Sequence, residues 1–82
     1  MTVAQTKNMT FNILLKTPEN AANFVRTINT LKGDFDIRMG RYFFDAKSLL
    51  GVLSMDPSRV MQLHVNGANY SDVQGAVEQF LA

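Results

Sequence analysis

Eighty-two residues, 46% of them apolar, make one small domain expected to bury roughly 60–65% of the surface its unfolded chain exposes, enough to fold alone with little stability to spare. The chain has no cysteine, which excludes disulfides and thiolate metal sites and fits a reducing, cytoplasmic setting. Eight basic and 7 acidic residues leave a formal charge of +1, too balanced for a nucleic-acid footprint, and no apolar run approaches the roughly 20 residues that span a bilayer.

Residues 1–8 are polar and aperiodic and are read as a flexible lead-in without an apolar leader segment, which places the single domain at 9–82. From Met9, the alternation of Met9, Phe11, Ile13 and Leu15 with Thr10, Asn12 and Leu14 predicts a half-buried strand. Thr17-Pro18-Glu19-Asn20 is a helix start: threonine caps free N–H groups, proline suits the first helical position, and Glu19 favours the positive end of the dipole. Ala21, Phe24, Val25, Ile28 and Leu31 follow at helical spacing and Gly33 supplies a left-handed stop, so the helix is expected over about Pro18–Lys32.

Phe35, Ile37 and Met39 alternate with Asp36 and Arg38, and after Gly40 the run Arg41-Tyr42-Phe43-Phe44 is aromatic and short, the pattern of a hairpin. Ser48 is placed to cap a short helix through Leu49-Leu50-Gly51-Val52-Leu53-Ser54-Met55, which ends near Pro57 and is weakened by Gly51. Val60 to Val65 predicts a fourth strand, Asn66-Gly67 a turn, and Asn69 or Ser71 a cap. Val73, Ala76, Val77, Phe80 and Leu81 form the stripe of a closing helix. The order βαββαβα describes an α+β open-faced sandwich, a four-stranded antiparallel sheet covered on one face by helices.

Asp45-Ala46-Lys47-Ser48-Leu49-Leu50-Gly51-Val52-Leu53-Ser54-Met55 resembles the regulatory-serine segment of HPr, the histidine-containing phosphocarrier family of the bacterial sugar phosphotransferase system, in which a lysine-serine pair opens a short apolar helix. The strand and helix order, Phe11 and Ile13, the hairpin, Asn66-Gly67 and the final helix extend the resemblance over about Met9 to Ala82. In that family the loop before the first helix carries a histidine followed closely by arginine and proline, at a helix N-terminus that favours phosphate. Here the place reads Lys16-Thr17-Pro18-Glu19-Asn20, with no histidine and no nearby arginine, in a shorter loop. Thr17, Pro18 and Glu19 therefore stand at degenerate phosphohistidine-loop positions. Threonine is a poor high-energy phosphoryl donor and has no adjacent base to activate it.

The resemblance implies a regulatory phosphorylation at Ser48 by an ATP-dependent, HPr kinase-type enzyme, against which stands a plain cap. It also implies a partner interface of Lys47, Leu49, Leu50 and Leu53, with Val52 and Met55 turned inward; periodicity equally allows Leu49, Val52 and Leu53 as the buried face. Exposed leucines there are also compatible with a homodimer. The implied partners are proteins: the kinase, a transcriptional regulator or phosphotransferase-system components. No nucleic acid and no membrane is expected.

The only histidine, His64, falls on the polar side of the fourth strand and reads as a surface residue. Asp34 and Asp36 lack a third ligand and read as solvating a sheet edge, and Gly40 and Gly67 are turn glycines outside any strand–Gly-rich loop–helix unit, so no metal site and no cofactor is expected. The favoured function is an HPr-related, non-catalytic regulatory or adaptor module working through Ser48 and an apolar helix patch. The alternatives are an HPr-fold protein-binding domain without phosphorylation and a small-molecule binding module.

Overall fold

The computed structural model describes residues 8–82; apart from Asn8, the lead-in expected at 1–8 lies outside the described residues. Strands β1 (Met9–Ile13), β2 (Asp34–Met39), β3 (Tyr42–Asp45) and β4 (Met61–Asn66) form one sheet of order β1-β4-β2-β3, antiparallel throughout. Helices α1 (Pro18–Ile28) and α2 (Leu49–Leu53) connect β1 to β2 and β3 to β4, α3 (Tyr70–Val77) follows β4, and a 3₁₀ turn, Glu78–Phe80, follows α3. The sandwich expected from the alternation of the strands is thus the observed fold.

The register explains the two faces. Met9, Val65 and Phe35 fall in one row across the sheet and Phe11, Leu63, Ile37 and Phe44 in another, so the apolar sets of all four strands share one side. That side packs on Ala21, Phe24, Val25 and Ile28 of α1, Val52 of α2, and Val73, Val77 and Phe80 at the C-terminal end, in one buried cluster. Phe24, Phe35, Ile37 and Leu63 are almost wholly buried, each worth about 1.5–3 kcal/mol of transfer free energy. Phe24 and Phe80 meet edge to face at 5.4 Å. The opposite side carries the polar row Thr10, His64, Asp36 and Asp45 and the row Asn12, Gln62, Arg38 and Phe43.

Several boundaries differ from the sequence expectation. Helix α1 ends at Ile28, not Lys32, because Asn29 turns its amide back onto the Val25 carbonyl (2.8 Å) and across to the Lys47 carbonyl (3.1 Å), and the next residues tighten into shorter-range turns. Gly33, at φ +120, sits where a Cβ would lie 2.8 Å from the Asn66 carbonyl oxygen, so both conformation and space demand glycine. Strand β4 starts at Met61 and includes Asn66. Leu81, expected in the helical stripe, is instead extended and exposed, bridged to Ile13 outside the helix. Asp34 and Asp36 do not solvate an edge: β2 is interior, between β4 and β3. Gly51, a weak helix former, lets α2 approach β3, since a Cβ there would stand 3.2 Å from the Phe44 ring.

Candidate functional site

Two segments named from the sequence lie at opposite ends of α2. At its start, the Lys47 carbonyl accepts from Asn29 at the end of α1; beyond its finish, the Pro57 carbonyl accepts from the Lys16 N–H (2.7 Å) in the loop that opens α1. The two helices therefore run antiparallel, with Ser48 near the end of α1 and the Lys16–Thr17 loop near the exit of α2.

At the α1 N-terminus most of the available groups have a structural task. Thr17 is the cap, its Oγ1 accepting from the Asn20 N–H at 3.1 Å, and its carbonyl accepts from Ala21. Pro18 has no N–H, which leaves the Glu19 amide as the remaining donor of the first turn, on a residue whose own carboxylate repels an anion. The Asn20 side chain donates to the Leu15 carbonyl at 2.9 Å. The Thr17 N–H donates to the same oxygen, closing a γ-turn at Lys16, whose φ is +77. This positive-φ turn is the strained form of its class, and residue type alone does not announce it. Lys16, Thr17, Pro18 and Glu19 are all exposed.

Ser48 caps α2: its Oγ accepts from the Gly51 N–H at 3.4 Å, a long bond, and the residue is exposed. Leu49, Leu50 and Leu53 are exposed, Leu50 by 82%, whereas Val52 is buried and Met55 packs against the core. Of the two orientations open to the sequence, this is the one with Leu49, Leu50 and Leu53 outward. Lys47 is half-buried. Its ammonium turns to the end of α1, donating to the carbonyls of Leu31 (2.6 Å) and Gly33 (3.2 Å) and resting 5.0 Å from the centre of the Phe35 ring.

Between α2 and β4, Asp56 accepts from the Ser58 hydroxyl (2.7 Å) and Ser58 N–H (3.0 Å). These bonds, aided by the charge of Arg59, hold its carboxyl below the ordinary value. His64 is half-buried on the open face, its Nε2 3.2 Å from Gln62 Oε1 and its strand position opposite Asp36. It lies in the sheet, apart from the α1 N-terminus. Among the described residues no group of three His, Cys, Asp or Glu side chains is placed to hold a metal ion, and no helix is long and apolar enough to cross a membrane.

A four-stranded antiparallel sheet of order β1-β4-β2-β3 with its helices on one face defines an open-faced α+β sandwich. No protein-family model and no curated protein matches the chain significantly. Among solved structures it is similar to HPr-C-His from Thermoanaerobacter tengcongensis, with a TM-score of 0.71 and 25% identity over 90% of each chain. The chain is HPr-like.

Proposed function

We propose that this protein is an HPr-related component of the phosphoenolpyruvate-dependent sugar phosphotransferase system that does not carry phosphohistidine and acts in the cytoplasm as a non-catalytic regulatory or adaptor module. The observation that carries the reading is the exposed hydroxyl of Ser48 at the cap of α2, adjoining an exposed ridge of Leu49, Leu50 and Leu53. A phosphate on Ser48 meets unsatisfied amides at the start of α2, so the modification adds charge beside the ridge without requiring the helix to unfold. The ridge is then a protein-docking surface whose affinity responds to that charge. The partners belong to the class of an HPr kinase-type enzyme, a transcriptional regulator or phosphotransferase-system proteins.

The α1 N-terminus supports the other half of the reading. Its place is taken by Thr17, Pro18 and Glu19; Thr17 Oγ1 is committed to the cap, and no imidazole stands there to accept a phosphoryl group. The domain taken to do this work is residues 9–82.

Incubation with an HPr kinase-type enzyme and ATP, followed by intact-mass measurement, tests the proposal. One phosphate is expected on the native chain and none on Ser48→Ala. Absence of a mass gain, or a gain that survives Ser48→Ala, overturns the Ser48 role. Treatment with enzyme I and phosphoenolpyruvate is expected to leave no acid-labile phosphate; its appearance overturns the claim that phosphohistidine is not carried.

A further inference from the structure

The sheet has two outer strands, and only one is covered by the described chain. Along β1 the C-terminal residues occupy the edge: Leu14 N–H donates to the Phe80 carbonyl (2.8 Å), Ala82 N–H to the Asn12 carbonyl (2.9 Å), and Leu81 bridges Ile13. Strand β3 has no such cover among the described residues. The Ala46 N–H donates to Phe35, and bonded pairs alternate along an antiparallel ladder, so Tyr42 and Phe44 bond inward to β2. Phe43 and Asp45 consequently direct their N–H and C=O groups away from the sheet. The strand has no proline, no lysine and no bulge, and Tyr42 and Phe43 are 65% and 57% exposed. Of the usual devices that blunt an edge, it has only its shortness and Asp45.

The sequence Arg41-Tyr42-Phe43-Phe44-Asp45 is charge-complementary to itself when reversed. Antiparallel pairing with Phe43 opposite Phe43 of a second copy joins the outward-facing groups of both strands and sets each Arg41 opposite the other copy's Asp45. Neighbouring registers that also join outward groups lose this match. Within one chain Asp45 stands opposite Asp36, a like-charge pair that a strand pairing disfavours. An arginine arriving on the outer side of Asp45 offsets it. On the core side the same register brings Tyr42 of one copy to Phe44 of the other, at the rim of a groove of about 510 Å³ whose lining includes Met39, Phe44, Gly51, Ser54 and Met55.

We infer that β3 is a self-association edge: two copies of this chain pair antiparallel through Tyr42–Asp45, centred on Phe43 and registered by reciprocal Arg41–Asp45 contacts, to make one continuous sheet. The inference does not depend on the role of Ser48. So short a pairing gives a weak dimer that forms with rising concentration.

Sedimentation equilibrium of the full chain from about 10 µM to 1 mM tests it. A monomer–dimer equilibrium is expected, weakened at least roughly tenfold by either Arg41→Asp or Asp45→Arg and recovered in the variant carrying both changes. Phe43→Pro removes an N–H that faces away from β2, which an edge strand tolerates, and is expected to stay folded and monomeric. Amide exchange of Phe43 should slow only as the dimer forms. A monomer at every concentration, a dimer indifferent to all these substitutions, as association through the leucine ridge predicts, or a Phe43 amide protected at every concentration, as cover by residues 1–7 predicts, each overturns the inference.

Discussion

The Lys47 ammonium donates to the Leu31 carbonyl oxygen at 2.6 Å, a contact that ties the approach to α2 to the exit of α1. A lysine that the resemblance assigns to a partner interface binds carbonyls in the segment that follows another helix. Its stem is half-buried and its charge lies over the Phe35 ring.

Lys47→Met keeps the stem and removes the charge and its hydrogen bonds. The expected outcome is a loss of about 1–2 kcal/mol in stability, read from the urea midpoint at constant m-value. Kinase-dependent phosphorylation of Ser48 is expected to persist in this variant, since the ammonium is engaged by Leu31 and Gly33. A midpoint unchanged from the native protein contradicts the strap.

The two faces of α2 separate under substitution. Val52→Ala empties a buried site and should lower stability by about 1–2.5 kcal/mol, whereas Leu50→Ser, at a residue 82% exposed, should change it by less than about 0.5 kcal/mol. On the proposed function, Leu50→Ser nonetheless weakens partner binding, measured by titration calorimetry. If Leu50→Ser costs as much stability as Val52→Ala, the outward assignment of the ridge is wrong.

The turn at Lys16 stores strain that glycine does not feel. Lys16→Gly is expected to be neutral or stabilising by up to about 1 kcal/mol, while a β-branched residue at φ +77, as in Lys16→Val, should cost about 1–2 kcal/mol. Thermal melts of the two variants check the sign, which is opposite to the usual ranking of glycine and valine.

Asp56 has a folded-state pKa below its ordinary value of 3.8, chiefly through the Ser58 hydroxyl bond. A depressed carboxylate contributes stability that is fully present above the unfolded value and is lost as pH falls through the folded one. The contribution is therefore constant above about pH 4 to 5 and disappears in the more acidic range. Carboxyl NMR titration should show the Asp56 pKa rising toward 3.8 in Ser58→Ala. A titration unchanged by that substitution assigns the depression elsewhere.

Strand alternation in Phe35–Met39 and Met61–Val65, the Thr17, Ser48 and Asn69 caps, and the helical spacing of Ala21, Phe24, Val25 and Ile28 are local signals, governed by side-chain periodicity and short-range hydrogen bonds. They were sufficient to determine the element order and the open-faced sandwich, and the missing histidine at Lys16–Asn20 needed nothing more than reading. Other features depend on groups distant in the chain. Helix α1 stops at Ile28 because Asn29 finds Lys47 eighteen residues on, and Leu81 leaves the helix because it finds Ile13. The outward turn of Leu49, Leu50 and Leu53 follows from Val52 entering the core while Gly51 sits close against the Phe44 ring, where periodicity allowed two answers. That Asp36 is interior and Asp45 peripheral follows from strand order, which no local pattern encodes: sequence sets which side of a strand is apolar, and only the packed sheet decides which strand is left at its edge.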